Sequence, residues 1–287
     1  MNTQTINNNW TKTIKPKVNA LDFKLAEIWS YRDLLFLFVK RDYVALYKQT
    51  VLGPAWYFIQ SALGTLVSFL LFNVIAGIST NGINPVLFQM SGIIIWNYFA
   101  SSLLSCSTVF IKNANIFGKV YFPRLIMPLS IIFSNIIQFG IQFTLILASI
   151  VYFFIKDHTG YFGLAWFMIP VYLFLMAGIG LGLGILISSL TTKYRDLTVL
   201  LNFGIQLLMY ASAVNYPLTS LKLKNSGLYS ILKWNPLSGV IDGFRNCLLL
   251  GKINFDTLLY PFLFMIFSLL GGVLLFNKVE RDFMDTV

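Results

Sequence analysis

The sequence predicts an all-α polytopic membrane protein with six transmembrane helices, and three observations carry that prediction. Residues 56–78, 87–111, 125–155, 161–190, 197–214 and 257–276 form six apolar stretches without one charged side chain. Their lengths are 23, 25, 31, 30, 18 and 20 residues, and a helix needs about 20 apolar residues to cross roughly 30 Å of hydrocarbon. Mean hydropathy is +0.73, with 57% apolar and only 11% charged residues, a balance that a soluble core of this size does not need. The short alternating strands of an outer-membrane barrel are absent from the pattern.

The cations give these spans an orientation. With both termini cytoplasmic, fifteen Lys and Arg fall on the inner side and six on the outer side, the asymmetry of the positive-inside rule. The net charge of +10 is therefore read as membrane topology rather than as a nucleic-acid surface. No acidic residue occurs between Asp42 and Asp157. Ion pumps keep ionisable groups at bilayer depth, so this membrane domain is either passive or energised by a partner. No phosphate-binding lysine motif, nucleophile elbow, zinc motif or carboxylate pair occurs, which leaves no catalytic assignment and no metal site. Cys106 and Cys247 lie in apolar segments and read as packing residues. The lone histidine, His158, has no second metal ligand near it.

Residues 1–20 form a polar tail without the apolar region of a signal peptide. Residues 21–55 read as an amphipathic interface helix and a lead-in loop. Leu21, Leu25, Ile28, Leu35, Val39, Tyr43 and Leu46 recur at helical spacing, and Ser30 with Asp33 suggests a capping box. Gly53-Pro54 stops this helix and turns the chain into the bilayer, where Trp56 and Tyr57 fit an interfacial belt. The transmembrane domain covers 56–276.

Within that domain, the loop 112–124 has three cations and no anion. It has room for one helical turn over 113–118, and Pro123 ends it. This is either an ordinary positive-inside loop or a helix that docks on a cytosolic partner. Gly178/Gly182 and Gly180/Gly184 are small-xxx-small pairs for close helix packing.

The outer loop 215–256 is too apolar for an ordinary connection. Asn235 fits an N-cap, Pro236 the first helical position and Gly251 the C-terminal stop. Leu237, Val240, Ile241, Phe244 and Leu248 make an apolar stripe, with Asp242 and Arg245 off it. Re-entrant helices over about 216–250, between spans five and six, suit this composition, and irregular backbone at that depth survives only against protein or water. The loop caps something. Residues 277–287 form a cytoplasmic C-terminal tail.

Arg41-Asp42 leading into Tyr47-Lys48-Gln49-Thr50-Val51-Leu52-Gly53-Pro54-Ala55-Trp56 resembles the lead-in segment of polysaccharide-exporting ABC-2 type permeases, the membrane subunits of O-antigen, capsule and teichoic-acid exporters. Asn115-Ile116-Phe117-Gly118-Lys119-Val120-Tyr121-Phe122-Pro123-Arg124, Tyr194-Arg195-Asp196, Asn235-Pro236-Leu237 running to Phe244-Arg245, and Lys278-Val279-Glu280-Arg281-Asp282-Phe283 match in order, over roughly 21–285. No single segment is decisive; the ordered set is specific.

The resemblance implies the ABC-2 exporter fold in a bacterial inner membrane. It also implies a homodimer bound to two copies of an ABC ATPase, which carries the ATP and Mg, while this chain binds no cofactor. The cargo would be an undecaprenyl-lipid-linked polysaccharide. By the same resemblance Asn113, Asn115, Ile116, Phe117 and Lys119 dock on the ATPase, and the outer helices bearing Asn235, Pro236, Phe244 and Arg245 form a gate.

Lys40, Arg41, Lys48 and Arg124 are placed to receive a lipid pyrophosphate, or equally to touch ordinary anionic lipids. Trp96, Tyr98, Phe99 and Tyr210 offer faces to a passing sugar, or pack against their neighbours. The Asn-rich N-terminal extension departs from the simplest family pattern. A drug-exporting ABC-2 permease keeps the same architecture with a small hydrophobic cargo. A membrane enzyme acting on lipid-linked sugars would need interfacial carboxylates, and the acid-free stretch from Tyr43 to Lys156 argues against it.

Overall fold

A computed structural model describes residues 25–48, 50–117, 119, 122–157, 161–191, 194, 196–220 and 226–284. The Leu21 end of the surface helix, His158 and Arg195 lie outside the described residues, as do Gln49, Gly118, Val120 and Tyr121 of the quoted motifs. The chain begins with α1 (Leu25–Ser30) and α2 (Arg32–Tyr47). It then runs through α3 (Ala55–Ser68), which continues as a π-helix over Phe69–Ile75, and returns along α4 (Pro85–Ser107). After α5 (Val109–Phe117) come α6 (Ile126–Asp157) and a 3-10 turn, Leu164–Met168, that feeds α7 (Ile169–Thr191). The rest is α8 (Leu197–Tyr210), α9 (Ser226–Lys233), α10 (Pro236–Leu250) and α11 (Asp256–Met284).

Contacts between distant segments define two ends. At the collar end, Thr191 Oγ1 donates to the Ser107 carbonyl at 2.7 Å and the Phe110 and Phe276 rings meet at 5.0 Å. At the cap end, Asn81 Nδ2 donates to Thr219 Oγ1 and Trp166 Nε1 donates to the Leu248 carbonyl at 3.1 Å.

Among the described residues, five helices are long and apolar enough to cross a membrane: 55–75, 85–107, 126–156, 164–191 and 257–276. The fifth expected span, 197–214, is helical only over Leu197–Tyr210, which has 14 residues and a length of about 21 Å at 1.5 Å per residue. The chain turns after Tyr210 because Ala213 takes φ +52°, a left-handed conformation that no L-residue holds inside a helix. The second span ends at Ser107 rather than Ile111, with Thr108 outside helical geometry (φ −110°).

The single surface helix expected over 21–49 is broken at Tyr31 into α1 and α2. Its capping box does not form. Ser30 Oγ instead donates back to the Glu27 carbonyl at 2.7 Å, and α2 has no side-chain cap. At the next break, Gly53 sits at φ +50° and Pro54 precedes Ala55 as the N-cap, so the Gly-Pro turn is where the sequence placed it.

Burial separates core from wall. In α4, 78% of the apolar window is buried, against 17% in α3. α7 packs against α11 on one side and α4 on the other, and its glycines divide between them. A Cβ on Gly182 would lie 2.6 Å from the Ser268 backbone of α11, and one on Gly184 would lie 2.5 Å from Cys106 Cβ of α4. Gly178 faces Met265 of α11, and Gly180 faces Ser102 and Phe99 of α4. Each predicted pair thus serves a different partner helix, and backbones approach closely where no side chain intervenes.

Substituting Gly182→Ala should destabilise the chain by about 1–3 kcal/mol through overpacking. Gly140→Ala, in α6 with nothing within 4 Å of its added carbon, should be neutral or stabilise by up to about 1 kcal/mol. Thermal unfolding of the detergent-purified variants reads the contrast.

Candidate functional site

At the collar end, α2 lies against α6 through an apolar cluster of Leu35, Phe38, Val109, Phe122, Ile126 and Met127. Phe38 and Phe122 meet at 5.7 Å. Beyond this cluster the Arg41 guanidinium lies 4.9 Å from the Phe38 ring and donates to Asp42 Oδ1 from Nε at 2.9 Å and from Nη2 at 2.7 Å.

A cavity of about 350 Å³ opens between α2, α4, α5 and α6, and its lining includes Arg41, Lys112, Asn113, Ser134 and Asn135. Of the four cations expected to gather at this end, Arg41 alone lines the cavity. Lys40 and Lys48 are exposed on α2 and just after it, and Arg124 lies 6.0 Å from the Phe117 ring. Lys112 joins Arg41 instead. The charge-rich 112–124 loop was a signal for it, but only folding shows which of its cations borders the cavity. Ser134 Oγ is buried without a hydrogen-bond partner among the described residues.

The docking candidates divide in the same way. Asn113 breaks helical geometry inside α5 (φ −112°) and its Nδ2 donates to the Val109 carbonyl. Phe117 stacks on Phe122 at 5.5 Å and meets Phe110 at a tilt at 5.4 Å, and Ile116 packs on the same apolar cluster. These three shape the turn, while Asn115 and Lys119 are exposed.

The rings proposed to face a passing sugar are mostly interior. Trp96, Tyr98 and Phe99 are 4%, 3% and 0% exposed, with Trp96 against Phe99 at 5.4 Å and Tyr98 edge-on to Phe139 at 5.7 Å. They pack α4 into the core, the other reading weighed for them, and have no free face within the subunit. Tyr210 is 54% exposed.

At the cap end α10 starts as its sequence predicts. Asn235 Oδ1 accepts from the Leu237 amide at 3.0 Å, Pro236 follows, and Gly251 closes the helix at φ +66°. Asn235 does more than cap, since its Nδ2 donates to the Ala211 carbonyl at 2.8 Å and to Ser212 Oγ at 3.0 Å. It thereby ties α10 to the end of α8. Phe244 is fully buried, edge-on to Phe139 at 6.3 Å.

Arg245, expected off the apolar stripe, is 1% exposed. Its guanidinium lies 3.6 Å from the Phe88 ring centroid and Nη2 donates to the Val214 carbonyl at 2.7 Å. Nε reaches Ser91 Oγ at 3.4 Å. Burial pulls its pKa down to about 10, against an opposing pull from Asp242, and the group remains charged at neutral pH. Gly92 makes the slot: a Cβ there would stand 2.5 Å from both Arg245 Nη2 and the Val214 carbonyl oxygen. Gln89, two residues before Ser91, donates to Asn73 Oδ1 at 2.9 Å and to the Asn215 carbonyl at 3.0 Å, so the π-helical end of α3 joins the same node. Sequence periodicity does not reveal a cation inside an apolar helix face. The only hint was a cation within such an apolar stretch.

Arg245→Met keeps the aliphatic volume and removes the charge, whereas Arg245→Lys buries an ammonium without the planar fork that bonds and stacks. Lys should therefore lower the thermal midpoint more than Met. Gly92→Ala should lower it too, by about 1–3 kcal/mol of lost stability.

The sequence profile of the ABC-2 type transporter family matches residues 33–249. Three curated relatives align over most of their length. Two, from Klebsiella pneumoniae, are 28% and 27% identical over 88% of this chain and 94% of theirs. One from Myxococcus xanthus is 25% identical over 76% of this chain and 81% of its own. Each is named O-antigen export system permease protein RfbA. With a helical body that offers five candidate spans among its described residues and a profile that covers most of its length, the chain belongs to the ABC-2 type transporter family.

Proposed function

We propose that this chain is the membrane subunit of an ATP-driven exporter that moves undecaprenyl-lipid-linked polysaccharide, O-antigen-like in class, across the bacterial inner membrane from the cytoplasmic side. The observation that carries this reading is the similarity, over most of the chain, to three relatives from two organisms that are all named for O-antigen export. The geometry supports it. α3 and α8 both lean on α4 and present uncovered apolar faces. Trp56, Leu63, Val67 and Val74 are exposed on the first, and Val199, Phe203, Leu207 and Tyr210 on the second. A helix as uncovered as α3 suits contact with lipid or with a second copy, and in a homodimer these walls would flank an uncharged path. Tyr210 is then the ring left to meet the polymer.

In this reading the collar end is cytoplasmic, with both termini there. Two copies of a separate ATPase hold ATP and Mg and dock at the α5 turn, through the exposed Asn115 and Lys119 on a frame set by Asn113, Ile116 and Phe117. A lipid pyrophosphate approaches Arg41 and Lys112, whose ammonium and guanidinium donors suit phosphate oxygens. Lys40, Lys48 and Arg124 form the wider cationic surround. The cap end, with Asn235, Pro236, Phe244 and Arg245, is the gate on the outer side.

Co-purification from native membranes should recover an ATPase with the wild-type chain. Asn115→Glu with Lys119→Glu should abolish that recovery without lowering the thermal midpoint; an intact complex would reject the docking site. Lys112→Glu should reduce the stimulation of ATP hydrolysis by lipid-linked glycan about tenfold, as expected for losing one charge-assisted bond. Deleting the gene should make lipid-linked glycan accumulate inside the cell, and accumulation of a small hydrophobic compound instead would move the assignment to a drug exporter.

A further inference from the structure

A second cleft, of about 520 Å³, lies at the cap end between α9, α10 and the start of α11. That volume falls within the roughly 300–1,000 Å³ of small-molecule sites. Its lining combines three aromatic rings, Tyr229, Trp234 and Tyr260, with the ammonium of Lys233 and the carboxylate of Asp242. We propose that this cleft is a saccharide-binding site that holds a pyranose ring of a glycan on the outer face of the protein.

The argument starts from how α10 is built. Its buried stripe of Val240, Ile241, Phe244 and Leu248 packs into the core. Asn235, Gly239 and Asp242, spaced by four and then three residues, form a second face, and all three line the cleft. Gly239 leaves the floor low: a Cβ there would lie 3.3 Å from the Thr257 carbonyl and 3.5 Å from the Pro261 ring of α11. Trp234, 70% exposed, stands perpendicular to Tyr260 with ring centroids 5.6 Å apart, so the two rings form a corner.

Lys233 and Asp242 beside that corner keep hydrogen-bonding capacity for a ligand. Asp242 Oδ2 accepts from Asn246 at 3.1 Å, and no other hydrogen-bond partner of this carboxylate occurs among the described residues. Lys233 makes no ion pair among the described residues, and the Lys233 and Asp242 charges stay apart although they line one cleft. Asn235, by contrast, spends both ends of its amide on the fold.

This combination selects a ligand class. A sugar ring presents an apolar C–H face to an aromatic plane, and hydroxyls that both donate and accept. It is matched by an exposed indole beside an acceptor (Asp242) and donors (Lys233, Tyr229 and Tyr260). An aromatic cage for a quaternary ammonium would exclude Lys233. A membrane-interface belt explains single Trp and Tyr rings at this depth, but not a carboxylate and an ammonium gathered around the same corner. That the cellular ligand is the exported glycan emerging from the gate rests on the proposed function. The cleft's affinity for pyranosides does not.

The test uses the full chain in nanodiscs of phosphatidylethanolamine and phosphatidylglycerol. Methyl α-mannopyranoside, maltotriose and N,N′,N″-triacetylchitotriose are the probes, and saturation-transfer NMR is the readout. Transfer to ring C–H protons of at least one probe is expected. Trp234→Ala should weaken the binding at least tenfold and Asp242→Asn by a smaller factor, with unchanged thermal midpoints. Tyr260→Phe should preserve the ring corner and most of the binding. No transfer to any probe, or equal transfer to the Trp234→Ala variant, overturns the proposal and leaves these rings as membrane anchors. Binding with no ATP-driven glycan export would leave the cleft standing and reject the exporter reading; export without binding would do the reverse.

Discussion

Close backbone approach along α7 is the constraint on which the rest of this structure depends. Lipid tails are as apolar as the side chains of these helices, so burying leucine between spans gains little, and packing geometry decides association. Gly178 and Gly182 admit α11 while Gly180 and Gly184 admit α4. With those two neighbours seated, α4 becomes the most buried span, and its Trp96, Tyr98 and Phe99 become core. α3 and α8 are left as uncovered apolar faces. The division between interior and wall follows from two interleaved glycine pairs on one helix.

The second constraint is the cost of a charge away from water. Among the described residues, the spans hold only Lys156, exposed at the end of α6, and the single buried cation, Arg245, belongs to the cap helix α10. An aromatic face and a backbone carbonyl touch it directly, and the Asp242 carboxylate acts on it through space. The carbonyl comes from Val214, directly after the left-handed residue Ala213, so a strained turn ending α8 and a buried cation in α10 hold each other in place. The cap is thereby fixed to the start of α4, the end of α8 and, through Gln89 and Asn73, the π-helical end of α3. Among the described residues, these spans bury no carboxylate and no cation of the kind that ion pumps hold at bilayer depth, which is compatible with the proposed division of labour in which a partner hydrolyses nucleotide.

Features that depend on local spacing were legible in the sequence. The glycine pairs, the Gly53-Pro54 turn, and the Asn235-Pro236 start and Gly251 stop of α10 all follow from backbone rules acting over a few residues. Features that depend on distant partners were not. Arg245 looks like a surface residue until Phe88, Val214 and Gly92 surround it, from positions 31 to 157 residues away. Ser30 satisfies a capping pattern but spends its hydroxyl on the preceding turn. The fifth expected span is shortened by a positive φ at Ala213, which composition does not register. Aromatic rings at helical spacing look alike whether they face a polymer or a neighbouring helix, and only packing sorted Trp96, Tyr98 and Phe99 from Tyr210. Of the four cations singled out in the sequence, Arg41 alone lines the collar cavity, and folding brings Lys112 to the same lining.

The central claim is that the chain provides an uncharged path and that a separate ATPase provides the force. The most direct measurement reconstitutes it with its partner ATPase in proteoliposomes loaded with lipid-linked glycan on the ATPase-facing leaflet. A membrane-impermeant glycosidase or lectin then reports glycan on the opposite face. Glycan should become accessible only when both chains, ATP and Mg are present, and stop when a non-hydrolysable analogue replaces ATP. Appearance of glycan with this chain alone, or with a proton or sodium gradient in place of ATP, would contradict the account.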